Sequence, residues 1–135
     1  MIYSKTCEYA IRAVLYLAKQ PEGRMILVRQ IADAEGIPQH FLSKIMQTLA
    51  RYHIVSSQKG KHGGLKLARD PSEISLFDVV EAIDGTEKFY NCLINMSVSC
   101  PQEEPCSLHD AWDSIRKDII EFLKNQTLDI IKKTT

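Results

Sequence analysis

The sequence of 135 residues lacks several features that would place it in common classes of protein. No apolar run approaches the ~18 residues that a membrane span needs, so no membrane partner is expected. No nucleophile–base arrangement or phosphate-cradling loop can be assembled, and an enzyme is therefore not expected. The composition, 44% hydrophobic and 25% charged residues, is typical of a globular protein. We expect one compact domain, or one small domain with an added helix that needs a partner.

Cysteine is scarce, and three of the four cysteines fall in one short stretch. The N-terminus, MIYSKTCEYAIRAVLYLAK, carries Glu8 and Arg12 inside its apolar run and has no cleavage site, so it is predicted to be a helix rather than a signal peptide. A cytoplasmic protein follows, and disulfides rarely persist in that compartment. Cys7 falls on the apolar face of this helix and is predicted to be a core thiol.

The net charge is zero, but the two halves of the chain differ strongly. Residues 1–70 contain eleven Lys and Arg against five Asp and Glu, a net charge of +6, whereas residues 71–135 carry −6. A basic half indicates an anionic partner. Charge segregation without function is the alternative.

A helix-turn-helix is predicted in the basic half. VRQIADAE forms a short helix that Gly36 closes, and Pro38 opens the next helix, PQHFLSKIMQTLARY. The buried stripe of this second helix is expected to contain Phe41, Leu42, Ile45, Met46 and Leu49. Its other face can hydrogen-bond throughout and lacks acidic residues: Gln39, His40, Ser43, Lys44 and Gln47. Such a face can read bases or reach phosphates, whereas a merely solvated face would normally carry some Glu or Asp.

A β-hairpin follows, with strands predicted from Ile54 to Ser57 and from Leu65 to Leu67. Its tip, KGKHGG, presents Lys59, Lys61 and His62 to a DNA backbone or minor groove. Directly after a helix-turn-helix, such a hairpin completes a winged helix. The predicted fold class is therefore mainly α with a small β-hairpin wing.

The second half is predicted to contain two further helices. Ser75 and Asp78 form a capping box for SLFDVVEAID, which Gly85 ends. Ser107 is predicted to cap a long helix whose apolar side suits a second copy of itself, or alternatively its own domain. The residues expected at or near a dimer seam are Trp112, Ile115, Ile119 and Phe122. The predicted organisation is a winged helix-turn-helix domain (1–85), a cysteine-bearing loop (86–106) and a dimerisation helix with a tail (107–135).

The loop and the start of the long helix bring together Cys92, Cys100, Cys106 and His109. The CxxC knuckles typical of zinc sites are absent. Wide spacings suit an iron–sulfur cluster, which is larger than a single ion. Spacing alone leaves a cluster, zinc and no metal open.

These motifs together resemble the IscR/NsrR family of bacterial iron–sulfur transcription regulators. The resemblance covers nearly the whole chain, from the Tyr9-Ala10 first helix through IADAEGIPQHFLSKIMQTLARYHIVSSQKGKHGGLKLARDPSEISLFDVVEAIDG to three cysteines before a long helix. It implies a homodimeric repressor or activator with a cluster on Cys92, Cys100 and Cys106. Members that regulate cysteine metabolism keep the fold without a cluster. A dimer of this kind would bind a pseudo-palindromic DNA duplex.

The resemblance also offers two candidates for the fourth ligand. His109 matches a histidine that serves in two-iron relatives. Glu8 matches an acidic residue that serves from the other subunit in nitric-oxide-sensing four-iron relatives. A local ligand costs less ordering entropy, which favours His109 and a [2Fe-2S] over a [4Fe-4S] cluster. Two departures matter: Lys59 stands where relatives usually have arginine, and the longer gap between Cys92 and Cys100 leaves the nuclearity open.

The predicted function is regulation of transcription by a DNA-binding protein whose affinity depends on a cluster that senses iron, redox state or nitric oxide. A zinc-stabilised or metal-free winged-helix adaptor or regulator is one alternative, and an electron-transfer or cluster-carrier protein is another. The basic half favours the DNA reader, because an adaptor or a carrier does not need that charge.

Overall fold

A computed structural model of the chain describes residues 2–95 and 106–132. These residues form a mainly helical fold with one two-stranded antiparallel hairpin, which confirms the predicted fold class. The helices and strands run in the order α1 (Lys5–Ala18), α2 (Val28–Glu35), α3 (Gln39–Arg51), β1 (Val55–Gln58), β2 (Gly64–Leu67), α4 (Leu76–Asp84), α5 (His109–Asn125) and α6 (Leu128–Lys132). No helix in these two ranges is long and apolar enough to cross a bilayer.

The helix-turn-helix forms as predicted, with α2 and α3 joined through Gly36. Gly36 adopts a left-handed conformation with φ +65°, and its amide donates to the carbonyl of Ala32. Glycine can end α2 in this way because it has no Cβ and adopts positive φ without a steric clash. The Arg12 guanidinium donates to the carbonyl of Glu35, so α1 holds the end of α2 in place.

The buried stripe of α3 differs from the prediction at one position. Leu42, Ile45, Met46 and Leu49 are buried, whereas Phe41 is 52% exposed. The assignment of Phe41 to the core was wrong. Because an α-helix turns about 100° per residue, the Phe41 side chain lies roughly a quarter turn from the centre of the stripe. No other described element covers it there.

The hairpin pairs Val55 with Leu67 at its base and Gln58 with Gly64 near its tip. Strand β1 begins and ends one residue later than predicted. Ile26, in the connection between α1 and α2, bridges to Leu65 and extends the sheet by one pair. The wing is therefore attached to the segment that precedes α2.

Helix α4 begins with the predicted capping box, in which the Ser75 hydroxyl accepts from the Asp78 amide and the Asp78 carboxylate accepts from the Ser75 amide. It ends at Gly85, which has φ +75°. Just before that glycine, the Asp84 carboxylate accepts hydrogen bonds from the amide and hydroxyl of Ser4. The N-terminus of α1 is thereby fixed to the end of α4.

The start of α5 differs from the prediction, since Ser107 does not cap it. The amide of His109 donates to the carbonyl of Cys106 at 3.0 Å, and this turn places Ser107 before the helix. Leu108 occupies the capping position and makes no side-chain capping bond. The helix packs on α4 and buries Leu123.

The C-terminal residues pack back against N-terminal elements of the fold. Ser75 and Thr127 form an isolated bridge, and Leu128 is fully buried. Helix α6 packs on α1, where the Lys132 ammonium donates to the carbonyl of Ala18 at 3.3 Å. Residues 126–132 thus belong to the same core as α1.

Candidate functional site

The face of α3 that points away from the core carries the predicted polar residues. Gln39, His40, Lys44 and Gln47 are exposed, and Ser43 is half-buried with its hydroxyl donating to the Gln39 carbonyl at 3.0 Å. All five can hydrogen-bond, and none is acidic. The structure leaves this face open to solvent, as a base-reading helix requires.

An open groove of about 460 Å³ lies between the start of α2, the start of α3 and the wing. Gln39 and Ser43 line one side, and Gln58, Gly60 and Gly63 line the other. The predicted tip residues Lys59, Lys61 and His62 are exposed at the end of the hairpin. The fold therefore brings the polar face of α3 and the glycine-rich wing to one surface, which we call the reading surface.

Sequence reasoning missed two residues of this surface. Arg29, exposed in the first turn of α2, lines the same groove as Gln39, and so does Gln58 at the end of β1. The available signal was a cation in the first turn of the helix that precedes α3, where helix amides and positive charge both favour an anion.

Cys7 is more deeply buried than Cys92 and Cys106. It is fully buried in α1, and burial together with the nearby Asp84 carboxylate raises its pKa to about 12. A thiol of this kind is a poor nucleophile and a poor metal ligand. The core assignment of Cys7 is confirmed. Cys92 is half-buried, Cys106 is exposed, and neither forms a disulfide.

The candidate ligands are only partly within the described residues, because Cys100 lies outside them. The hydrogen bond from His109 to Cys106 places these two residues in one turn at the start of α5. Within residues 2–95 and 106–132, no group of three or more His, Cys, Asp or Glu side chains could hold a metal ion. Cys106 and His109, which share this turn, are of the donor types that hold iron–sulfur clusters.

Glu8 is positioned on α1 rather than in the loop. Its carboxylate forms an ion pair with Lys5 at 2.6 Å, and the hydrogen bond from Lys5 lowers the pKa of Glu8. Both side chains are exposed, so this pair contributes little to stability. The carboxylate is therefore ionised near neutral pH and partly exposed.

The four residues predicted at a dimer seam fall into two groups. Trp112 is half-buried and donates its indole N–H to the Asn91 carbonyl at 3.2 Å, which connects α5 to the residue before Cys92. Ile119 packs partly on the core. Ile115 and Phe122 are 53% and 54% exposed and lie two turns apart on one face. Within residues 2–95 and 106–132, α5 therefore exposes two large apolar side chains on one face.

Comparison with known proteins gives one consistent result. The sequence model of the Rrf2 family, described as iron-dependent transcriptional regulators, matches residues 3–133. A protein of Aquifex aeolicus named as an HTH-type transcriptional regulator is 35% identical over 130 residues, which cover 95% of this chain and 89% of that protein.

Two solved structures share the fold. CymR, the global cysteine regulator of B. subtilis, superposes with a TM-score of 0.83 at 23% identity and covers 98% of this chain and 96% of that one. IscR of T. potens has a TM-score of 0.78 at 24% identity and covers 97% and 85%, respectively. These likenesses establish the winged-helix architecture.

Proposed function

The chain belongs to the Rrf2 family of transcriptional regulators, and from that premise we propose that it is a homodimeric, sequence-specific DNA-binding regulator controlled by an iron–sulfur cluster. Proteins of this family are named as transcriptional regulators, so the chain is a DNA-binding regulator and not an enzyme. The finer parts of the proposal are the residues that read DNA, the cluster and the dimer. We place the protein in the cytoplasm together with its operator.

The reading surface carries the DNA-binding part of the proposal. Gln39 and Ser43 face the wing across an open groove, with Arg29 at its edge. If α3 enters the major groove, with Gln39, His40, Ser43 and Lys44 toward the bases, one DNA strand runs through this groove. Lys59, Lys61 and His62 then reach the backbone or the adjacent minor groove.

Accessible thiols support the cluster. Cys92 and Cys106 flank the stretch that contains Cys100, and Cys106 shares a turn with His109. A cluster held by thiolates supplies a centre that iron supply, redox state or nitric oxide can alter. The indole of Trp112 bonds to Asn91, next to Cys92, and so connects this segment to α5. Movement at the cysteines can therefore reach the proposed dimer helix.

Two exposed apolar side chains on one face of α5 support the dimer. Ile115 and Phe122 together present apolar surface that a two-fold partner would cover. In this arrangement residues 1–85 read DNA, residues 86–106 hold the cluster and residues 107–125 pair the subunits. A dimer would place two reading surfaces on half-sites about one helical turn, roughly 34 Å, apart.

One experiment tests both parts of the function. The protein is reconstituted anaerobically with iron and sulfide. The cluster-bound and metal-free forms are then each titrated against duplexes selected from a random library. Enrichment of a pseudo-palindromic sequence and a difference in affinity between the two forms are expected. Failure to enrich any sequence would contradict the DNA-reading part, and absence of bound iron and sulfide would contradict the cluster.

A metal-free regulator is the second candidate. CymR, which is named as a cysteine regulator, shares the fold. In that case the selected duplex would bind equally well before and after reconstitution.

A further inference from the structure

Phe41 is the large apolar side chain that α3 exposes to solvent. All residues of α3 are described, and the other large apolar side chains of this helix are buried. Phe41 is 52% exposed and sits among side chains that hydrogen-bond. Phe41 is not among the apolar side chains that pack against the core of the described residues.

Its position on the helix separates it from the groove. Gln39 and Ser43 line the side of α3 that faces the wing, whereas Phe41 is absent from that lining. Phe41 lies three residues before Lys44 and thus on the same side of the helix as that cation. The first turn of a recognition helix is the part that meets base edges. Gln39 and Ser43 can therefore make contacts on the wing side, while Phe41 and Lys44 can reach the base edges from the other side of the same turns.

The ring of His40 packs on the ring of Phe41. Their centroids are 4.4 Å apart, with an angle of 35° between the planes. Contact between the two rings restricts the orientation of Phe41. A side chain that is already restricted loses less conformational freedom on binding.

The major groove offers one apolar feature to such a ring, the C5-methyl group of thymine. We propose that Phe41 determines specificity by packing on the C5-methyl of a thymine in each half-site. This inference rests on the proposed DNA-reading function. His40 acts as a positioning residue that holds the ring. Cytosine and both purines lack a methyl group at this edge and would leave Phe41 against polar atoms.

The test removes single methyl groups from DNA. A duplex selected by the unmodified protein is prepared with deoxyuridine in place of thymine, one position at a time and in both half-sites. Deoxyuridine keeps every hydrogen-bonding group of thymine. At one thymine position the unmodified protein should lose about fourfold in affinity per half-site, the usual effect of one buried methyl-sized group.

Four variants test whether that loss belongs to Phe41. Phe41→Ala should bind the thymine and deoxyuridine duplexes equally at that position, and Phe41→Tyr, which keeps the ring, should retain most of the difference. Tyr52→Ala removes a comparably exposed aromatic ring at the end of α3 and should leave the difference unchanged. His40→Ala should reduce the difference, since the ring loses its support.

Several outcomes would overturn the inference. Equal binding of all deoxyuridine duplexes by the unmodified protein excludes a methyl contact, and an unchanged difference in Phe41→Ala assigns the contact to another residue. In both cases a selected sequence still exists, and DNA reading stands. Only a library that yields no sequence at all removes the proposed function together with this contact.

Discussion

Ile26 and Leu65 exchange both of their backbone hydrogen bonds, with N···O distances of 2.8 and 2.7 Å. This reciprocal pair joins the segment before α2 to the second strand of the wing. Because α2 begins two residues after Ile26, this pair helps to fix the position of the wing relative to α2 and α3. The groove of the reading surface depends on it.

Gly64→Ala tests that dependence. A Cβ at Gly64, where φ is +143°, would lie 2.9 Å from the Ile26 carbonyl oxygen, so the backbone pair must shift. Gly23→Ala is the matched control, since Gly23 also has positive φ, a Cβ there meets nothing within 4 Å, and it does not line the groove of the reading surface. Both variants should lose about 1 kcal/mol or more to backbone strain. Only Gly64→Ala should lower the melting temperature further and weaken DNA binding through a displaced wing. Equal effects of the two variants would show that the contact with Ile26 is unimportant.

Lys59 and Lys61 at the wing tip should determine how DNA binding responds to salt. Replacing either lysine by glutamine should weaken binding to all duplexes and lower the slope of log affinity against log salt by about one, because one phosphate contact is lost. Lys117→Gln provides the control, since that lysine is exposed on α5 and pairs with Asp113. Gln39→Ala should instead change the preferred bases and leave the slope unaltered. Fluorescence anisotropy at several salt concentrations measures both effects.

Asp84 should stabilise the fold in a way that depends on pH. Burial opposes ionisation of this carboxyl, but the hydrogen bonds from Ser4 and Lys88 outweigh burial and lower its pKa below the ordinary 3.8. A lowered pKa means that the contribution is complete above about pH 4 and disappears as the pH falls through the folded-state pKa.

Asp84→Asn is therefore expected to be less stable than the unmodified protein near pH 7, and the difference should shrink toward about pH 3. Asp33→Asn removes an exposed carboxylate of α2 and serves as the control. Urea unfolding at each pH gives the free energies of unfolding. A difference that stays constant with pH would exclude the proposed role of the ionised carboxylate.

Much of this fold is encoded in local signals that a sequence displays directly. Gly36 and Gly85 end helices, and the reciprocal caps of Ser75 and Asp78 depend on residues three apart, so these elements were predicted well. Phe41 was wrongly assigned to the core because the spacing of apolar residues does not show how much of the helix surface the neighbouring elements cover. The return of α6 to α1 depends on contacts between residues more than 100 positions apart, such as Lys132 with Ala18. Local patterns carry no information about such contacts.

The proposed dimer is best tested at the outer face of α5. Ile115→Asp and Phe122→Asp place a charge on exposed apolar positions, so the fold should survive and the dimer should dissociate. Ile119 is less suitable, since it packs partly on the core and its replacement would also test folding. Ile130→Asp, at a comparably exposed residue of α6, should leave the dimer intact. Sedimentation measures the oligomeric state of each variant. An unmodified protein that is monomeric and still binds DNA would exclude the dimer.

The two candidates for the fourth ligand of the proposed cluster, His109 and Glu8, differ in position. His109 follows Cys106 within one hydrogen-bonded turn, so it can reach the same iron without a second chain. Glu8 lies on α1, is held by Lys5 at 2.6 Å, and would have to exchange that partner for iron across a dimer. A local ligand costs less ordering, and imidazole is a better ligand for iron than an ion-paired carboxylate that must first lose its lysine.

We therefore expect His109→Ala to change the anaerobic visible spectrum and to speed iron loss, while Glu8→Gln leaves both unchanged. His62→Ala removes an imidazole from the wing instead and serves as the control for a general effect of histidine loss. The opposite pattern would assign the ligand to Glu8. In that event Ile115→Asp should also release the cluster, since a ligand from the partner chain is lost when the dimer dissociates, whereas a His109-ligated cluster should persist in the monomer. If both His109→Ala and Glu8→Gln keep the native spectrum, neither residue is a ligand.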